Sequence, residues 1–172
     1  MRSAVVRQFG TPLVIEERPI PEPAPGQVVI RMEASGLCHT DIHAAHGDWP
    51  VKPAPPFVPG HEGVGIVHAV GAGVASPSVG QRVAVPWLGY ACGTCEHCLT
   101  GWETLCVRQQ NTGYSVDGGF AEYFAADAAF AAPVPDGIDP VDAAPLTNCS
   151  PITSAVITRV NASTPGVNAA SA

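Results

Sequence analysis

The groups in this chain best suited to chemistry are four closely spaced thiols. Cys92, Cys95, Cys98 and Cys106 follow the spacing C-x2-C-x2-C-x7-C. A short lobe of chain can fold four such sulfurs around one ion at about 2.3 Å each, which is the coordination of a structural zinc site. The spacing therefore predicts a lobe that binds structural zinc.

Other uses of these thiols stay open. A disulfide framework is typical of small secreted chains, but no charged segment followed by an apolar core precedes residue 30, so we expect no export. The bacterial ferredoxin spacing C-x2-C-x2-C-x3-C-P holds an iron–sulfur cluster, whereas here the last interval is longer and no proline follows Cys106. Unliganded or oxidised thiols are the third alternative. His97 inside the loop could ligate, but beside four thiolates we expect a solvated side chain.

Two further segments could hold a ligand or a reactive metal. Cys38 to His43 places a thiol, two imidazoles, a hydroxyl and a carboxylate within six residues. Gly60-His61-Glu62-Gly63 adds an imidazole and a carboxylate between glycines, which let the backbone approach a ligand closely. The plainer alternatives are a polar turn and a surface histidine. Gly63-Val64-Gly65 is not a dinucleotide fingerprint, because no third glycine or following helix appears.

Composition limits the class of protein. The 172 residues suffice for one domain with a core but are few for two. A hydrophobic share of 46%, with 18 Gly and 18 Pro, predicts a β-rich fold with many turns. A net charge of −7 argues against nucleic acid or an anionic membrane as partner, and no apolar run approaches the roughly 18 residues that span a bilayer. Six cysteines without an export signal predict a reducing cytoplasm.

Short strands are expected to position these segments. Residues 3–8 and 13–16 predict a hairpin, and residues 27–34 predict the clearest strand, which ends just before Cys38. Further strands are predicted over residues 64–70, 82–86, 120–125 and 129–135. Asp139 as N-cap and Pro140 at the first helical position predict the start of a helix that carries Cys149.

Four motifs in this order resemble the zinc-dependent alcohol dehydrogenases of the medium-chain dehydrogenase/reductase superfamily. They are Gly36-Leu37-Cys38-His39-Thr40-Asp41, Pro59-Gly60-His61-Glu62-Gly63-Val64-Gly65, the cysteine loop 92–106 and Gly118-Gly119-Phe120-Ala121-Glu122-Tyr123. The resemblance runs from residue 3 to about 147. It implies a mainly β fold with short helices, the GroES-like β-barrel catalytic domain, over residues 1–150, with the structural zinc lobe at residues 89–110.

The resemblance also implies a second, catalytic zinc, so that each chain holds two zinc ions. Cys38, His61 and Cys149 would bind it and leave one position open for the oxygen of a small primary alcohol or aldehyde. The implied cofactor is NAD(H).

The same resemblance assigns roles to the polar residues near Cys38. Thr40 would take the hydroxyl proton of the alcohol and pass it through the cofactor ribose to His43, which releases it to water. His39 would contact the cofactor pyrophosphate, and Asp41 would orient a metal ligand.

The remaining assignments concern the surroundings of the metal. Glu62 is similar to the carboxylate behind the metal in this family. Trp49 and Trp87 would narrow the substrate pocket, which favours small primary alcohols.

The chain departs from the family pattern in two places. One extra residue separates Leu146 from Cys149, which rotates the following helix by about 100°, and Pro151 replaces the usual glycine. We still favour Cys149 as ligand, through a shifted or bulged helix. No G-x-G-x-x-G turn follows Gly166, so we expect residues 151–172 to be a truncated helix and tail without the nicotinamide-binding domain.

Two functional classes follow from these observations. The first is an alcohol dehydrogenase catalytic domain, which covers an exposed apolar face by forming a homo-oligomer. The second is a non-catalytic zinc-binding remnant or interaction module whose metal only holds the fold. Zinc chemistry without NAD, such as hydrolysis, is a third possibility, because metal-bound water can become a nucleophile near neutral pH.

Overall fold

Antiparallel strand pairing organises residues 1–147, the part of the chain that the computed structural model describes. In chain order the strands are β1 (Arg2–Val5), β2 (Val14–Glu17), β3 (Gln27–Ser35), β4 (Gly63–Val70), β5 (Arg82–Val85), β6 (Leu88–Tyr90), β7 (Gln110–Asn111), β8 (Tyr123–Asp127) and β9 (Ala132–Pro133). Five of them form one sheet in the order β8-β3-β4-β5-β9. The other four form the pairs β1-β2 and β6-β7.

The centre of the sheet is also the centre of the core. Val28, Val29 and Ile30 on β3 are all buried, so this part of the strand is covered on both faces. β-Branched residues fit such a strand, because their side chains pack well on a pleated surface. The main hydrophobic cluster joins β3 to its neighbours through Val67, Val83, Val85 and Phe124.

Helices are few and short. They are α1 (His39–His46), α2 (Glu96–Leu99) and α3 (Pro140–Ala143), with 3-10 turns at Glu103–Leu105, Ala128–Phe130 and Ala144–Thr147. α1 stops at Gly47, which has a left-handed φ of 69°. Within residues 1–147, none of these helices has the length and hydrophobicity needed to cross a bilayer.

Most of the predicted elements are confirmed, and the mainly β fold with short helices is among them. The hairpin of β1 and β2, the long strand β3 and the strands β4 and β5 lie where the sequence predicts them. A short helix, α1, directly follows Cys38. The side chain of Asp139 accepts a hydrogen bond of 2.8 Å from the Val141 N–H, which confirms the predicted N-cap of α3.

Two predicted strands are shorter than expected. β8 begins only at Tyr123, because the preceding residues pair with the start of the chain: Ala4 N–H donates to Phe120 C=O at 2.8 Å and Glu122 N–H to Arg2 C=O at 3.0 Å. The strand predicted over residues 129–135 shrinks to β9. The Asp127 side chain accepts from the Ala129 N–H at 2.9 Å, and this local cap favours a 3-10 turn at its start.

Candidate metal centres and active site

The four cysteines of the predicted zinc lobe come together. Their sulfur atoms all lie within 4.8 Å of one another. The Sγ atom of Cys98 is 3.9 Å from that of Cys92 and 3.5 Å from that of Cys95. Four ligands at about 2.3 Å on the corners of a tetrahedron lie about 3.8 Å apart, so this donor set fits one zinc ion. None of the described cysteines is in a disulfide.

The lobe directs hydrogen-bond donors at its sulfurs. Cys106 Sγ accepts from the backbone N–H groups of Cys92 at 3.3 Å and of Arg108 at 3.4 Å. The pKa of Cys92 is lowered to about 4 because the backbone N–H and hydroxyl of Thr94, and then Arg108, donate to its thiolate. Burial and the neighbouring thiols raise the pKa of Cys98. A metal therefore meets one thiolate already formed at neutral pH and displaces a proton from another.

A second group of metal-binding side chains forms where β3 ends and β4 begins. Ser35 pairs with Gly63 in the antiparallel ladder, so the segment after Ser35 and the segment before Gly63 lie at the same edge. Cys38, His61 and Glu62 meet there, with ligand atoms within 4.8 Å of one another. A soft thiolate, an imidazole and a carboxylate are all zinc ligands, and the donor set therefore fits that metal.

Asp41 ties both halves of this group together from the first turn of α1. Its Oδ2 accepts from the Cys38 N–H at 3.0 Å, and its Oδ1 accepts from the Gly60 N–H at 3.0 Å. The same Oδ1 lies 3.1 Å from His61 Nδ1. In the neutral tautomer that donates Nδ1–H to Asp41, the lone pair is on Nε2. A carboxylate behind a histidine in this way orients the ring for a metal.

The polar side chains around part-buried Cys38 are deeply buried, with exposures of 1% for His61, 4% for Glu62 and 3% for Asp41. Burial alone would lower the pKa of His61, but hydrogen bonding and charge interaction with Asp41, aided by Cys38, outweigh it and leave this pKa raised. Burial raises the pKa of Glu62. A buried carboxyl beside a histidine and a thiol is costly for folding alone, which favours a functional use of the site.

Gly36 makes room for Glu62. A Cβ atom at position 36 would lie 1.8 Å from Glu62 Oε2, so no other residue type fits while that carboxylate stays in place. The Gly36 N–H also donates to the Glu62 backbone C=O at 3.0 Å. The glycine of the Gly36-Leu37-Cys38 motif is therefore required by the position of a side chain on the opposite segment.

Aromatic rings form a wall beside His61. Trp87 stands edge-on to the His61 ring at 5.2 Å between centroids, and Trp49 stands edge-on to Trp87 at 6.2 Å. Tyr114 completes the wall at 5.3 Å from Trp49 and 5.5 Å from Trp87, with its hydroxyl donating to the Val51 C=O. The sequence reasoning missed Tyr114, because an aromatic residue in a turn-rich stretch carries no periodic burial signal.

The remaining polar residues of the predicted site lie on α1. The rings of His39 and His43 stack at 4.7 Å, as residues one helical turn apart can. His43 Nδ1 lies 2.9 Å from Asp48 Oδ2, and the His43 side chain is 40% exposed. Thr40 lies in the first turn and is half-buried. Asp48, which follows the helix, is a second residue to which the sequence reasoning assigned no role.

Cys149, predicted as a ligand of the catalytic zinc, lies outside the described residues, as do residues 151–172, predicted as helix and tail. The group at Cys38 therefore comprises three donors within residues 1–147.

Comparison with known proteins agrees with this geometry. Residues 24–136 match the alcohol dehydrogenase GroES-like domain. An alcohol dehydrogenase of Rhizobium meliloti (strain 1021) is 60% identical over 153 residues, which are 89% of this chain and 45% of that protein. One of Geobacillus stearothermophilus is 54% identical over 166 residues, which are 96% of this chain and 49% of that protein.

Solved structures give the same result. A cobalt- and zinc-bound thermostable alcohol dehydrogenase from Pyrobaculum aerophilum aligns with a TM-score of 0.77 and 35% identity, over 84% of this chain and 43% of that one. An NAD-dependent alcohol dehydrogenase aligns with a TM-score of 0.78 and 38% identity, over 84% of this chain and 42% of that one.

The chain therefore belongs to the alcohol dehydrogenase GroES-like domain family. The predicted GroES-like fold is confirmed. The chain spans about half the length of the curated relatives it matches.

Proposed function

We propose that this chain forms the catalytic domain of a zinc-dependent alcohol dehydrogenase, with residues 1–150 as that domain and residues 89–110 as its structural zinc lobe. The reaction is the oxidation of small primary alcohols to aldehydes, or the reverse, with NAD(H). The observation that supports this most strongly is the buried convergence of Cys38, His61 and Glu62 beside an aromatic wall, in a member of this family.

Two zinc ions per chain are part of the proposal. Cys92, Cys95, Cys98 and Cys106 hold the structural ion, while Cys38, His61 and Cys149 hold the catalytic one with Glu62 beside them. Zinc in the second site supplies a Lewis acid that polarises the oxygen of the alcohol or aldehyde. Asp41 holds His61 Nδ1, which would leave Nε2 as the atom that binds the metal.

Proton movement is assigned to α1. The Thr40 hydroxyl would accept the proton of the alcohol while giving up its own proton along a relay to His43, which would release it to water. His43 suits this role because Asp48 holds its Nδ1, which leaves Nε2 to accept a proton, and because its side chain is part-exposed. His39, stacked on His43, is the proposed contact for the cofactor pyrophosphate.

The aromatic wall sets the size of the substrate. Trp87 places a rigid ring against His61, with Trp49 and Tyr114 packed behind it, and these rings would disfavour a branched alcohol. Small primary alcohols and their aldehydes are therefore the proposed substrates.

Exposed apolar side chains support a proposed oligomer, and the thiols support a proposed cytoplasmic location. Leu99, Trp102, Leu105 and Val107 of the zinc lobe are all more than half exposed, which supports assembly as a homo-oligomer. Among residues 1–147 the cysteines are free of disulfides, which supports the proposal that the protein works in a reducing cytoplasm.

The test is ethanol-dependent reduction of NAD⁺, followed by the absorbance of NADH, by the zinc-loaded domain joined to the part of the NAD-dependent alcohol dehydrogenase that this chain does not cover. We expect activity in the wild type and a loss of more than about 100-fold in His61→Gln, since removing a ligand should exceed the loss of an outer partner. His68→Gln is the matched control: this histidine is exposed on β4 against Tyr123, and its loss should leave the rate unchanged.

Two results would favour the alternatives. Two bound zinc ions without NAD-dependent activity would indicate a non-catalytic zinc-binding module. Hydrolysis of an activated ester without NAD, abolished in His61→Gln, would indicate hydrolytic zinc chemistry.

A further inference from the structure

Hydrogen bonds hold every backbone polar group of the segment that precedes His61, Val58 to Gly60. The Val58 C=O accepts from Gly118 N–H at 2.8 Å, the Pro59 C=O from Phe120 N–H at 3.0 Å, and the Gly60 C=O from Gly119 N–H at 2.8 Å. The two N–H groups, on Val58 and Gly60, both donate to carboxylates. Every backbone polar group from Val58 to Gly60 is thus paired.

The two carboxylates hold the two ends of this segment. Asp41 is buried and accepts from the Gly60 N–H, as described above. Asp117 accepts from the Val58 N–H at 2.8 Å through Oδ1, while its Oδ2 accepts from Arg18 Nη1 at 3.0 Å. Asp117 therefore holds the Val58 end of the segment, as Asp41 holds the Gly60 end.

The neighbouring backbone packs closely against this segment. A Cβ atom at Gly118 would lie 2.1 Å from the Gly60 O atom, and one at Gly113 would lie 2.7 Å from the Gly60 N atom. Gly60 itself has φ 100°, a conformation that favours glycine. A shift of the Val58 backbone should therefore also move Gly60 and the adjacent His61. The close backbone contacts at Gly60 leave no space in which the segment could adjust separately.

We infer that Asp117, anchored by Arg18, is a positioning residue that sets the location of the His61 ring for the metal. Val58 is buried, so without Asp117 its N–H has no acceptor and the segment shifts to find one. Asp117 touches no proposed ligand and acts only through the backbone. This inference rests on the proposed function, because it concerns the metal site at Cys38 and His61.

The experiment measures Co²⁺ binding by chelator competition in the full chain, with the visible spectrum reporting the coordination at each site. Asp117→Ala should weaken binding at the Cys38–His61 site by about 10-fold, the low end of the range for groups that contact metal ligands directly, because Asp117 acts through the backbone, and it should shift the spectrum of that site. Asp117→Asn keeps an oxygen acceptor for Val58, and it should recover affinity to within about threefold of wild type. Binding at the cysteine lobe should not change in either variant.

Glu33→Gln is the control, since it breaks a comparable surface ion pair, Glu33 with Arg82 at 2.7 Å, away from this segment. A purely structural role for Asp117 would lower the melting temperature but leave the affinity and spectrum of the folded protein unchanged, which would overturn the inference. Arg18→Gln keeps Asp117 but removes its anchor, and a loss of about threefold at the Cys38–His61 site is expected. If Asp117→Ala does not fold, an unchanged affinity in Arg18→Gln overturns the inference instead.

The two proposals fail differently. A wild-type protein that binds no metal at Cys38 and His61 contradicts the proposed function. A wild-type protein that binds metal there, with Asp117→Ala binding it equally well, contradicts only the role of Asp117.

Discussion

The two candidate metal centres are built in opposite ways. The cysteine lobe takes its four ligands from the short stretch between Cys92 and Cys106, and most of its sulfurs are part-exposed. The centre at Cys38 takes its ligands from two segments that meet only through the pairing of β3 with β4, and its histidine and carboxylate are buried. The ligands of the cysteine lobe are close because they are close along the chain, whereas those of the centre at Cys38 are close because the strands pair.

This difference predicts different dependence on the metal. Few buried side chains other than the cysteines hold the lobe, since its helix α2 has four residues and none of them is buried. The centre at Cys38 is held by Asp41 and by the sheet register before any metal binds. The lobe should therefore need bound metal in order to fold, whereas the centre at Cys38 should be folded before metal binds.

The largest expected effect is the loss of one lobe thiolate. Cys98→Ser should weaken metal binding in the lobe by at least about 100-fold, because a structural site closes with four ligands and has no spare donor. Metal analysis after dialysis against a chelator would measure this loss, together with protease cleavage of the lobe between residues 92 and 106.

His97→Gln is the matched control for this variant, since it changes the neighbouring residue. We expect it to keep the lobe metal and its resistance to protease. Loss of the metal in His97→Gln would show that the imidazole replaces one of the four thiolates as ligand.

The next effect concerns Asp41. Asp41→Asn loses the charge beside His61 and cannot keep all three hydrogen bonds, so binding at the Cys38–His61 site should weaken by about 10- to 100-fold. The lobe should keep its metal, as measured by Co²⁺ titration. Asp48→Asn, which loses only the contact with His43, should bind metal like the wild type; equal losses in both variants would contradict the assigned role of Asp41.

The smallest effect is the pH dependence that His61 adds at the centre at Cys38. The pKa of metal-free His61 is raised above 6.5, so its protonated form stabilises the fold at low pH and this contribution is lost as pH rises through the raised value. Metal needs the neutral ring, so Co²⁺ affinity should fall by about tenfold per pH unit below that pKa. In Asp41→Asn the fall should begin at lower pH, because the partner that raises the pKa of His61 is gone.

The sequence predicts the cysteine lobe more completely than the centre at Cys38, because the ligands of the lobe are close along the chain and those of the centre are not. The spacing of Cys92 to Cys106 is sufficient for the lobe, because its ligands are neighbours along the chain. The segments at Cys38 and His61 are also visible in the sequence, but their meeting depends on Ser35 pairing with Gly63, which no local pattern specifies.

Residues that act through loops are the least predictable. Tyr114 contacts Trp49, Asp48 contacts His43, and Asp117 contacts Val58 in the segment before His61. All three lie in turn-rich stretches, where neither periodicity nor spacing indicates a contact partner. The shortened start of β8 has a similar cause, since Phe120 to Glu122 pair with the first strand instead of extending the ladder.

The most direct test of the account is the zinc content of the purified protein and of Cys38→Ser, by elemental analysis against protein concentration. We predict two zinc ions per chain in the wild type and one in Cys38→Ser, with the remaining ion in the cysteine lobe. One ion in the wild type, or two in Cys38→Ser, would contradict a second metal centre at Cys38 and His61.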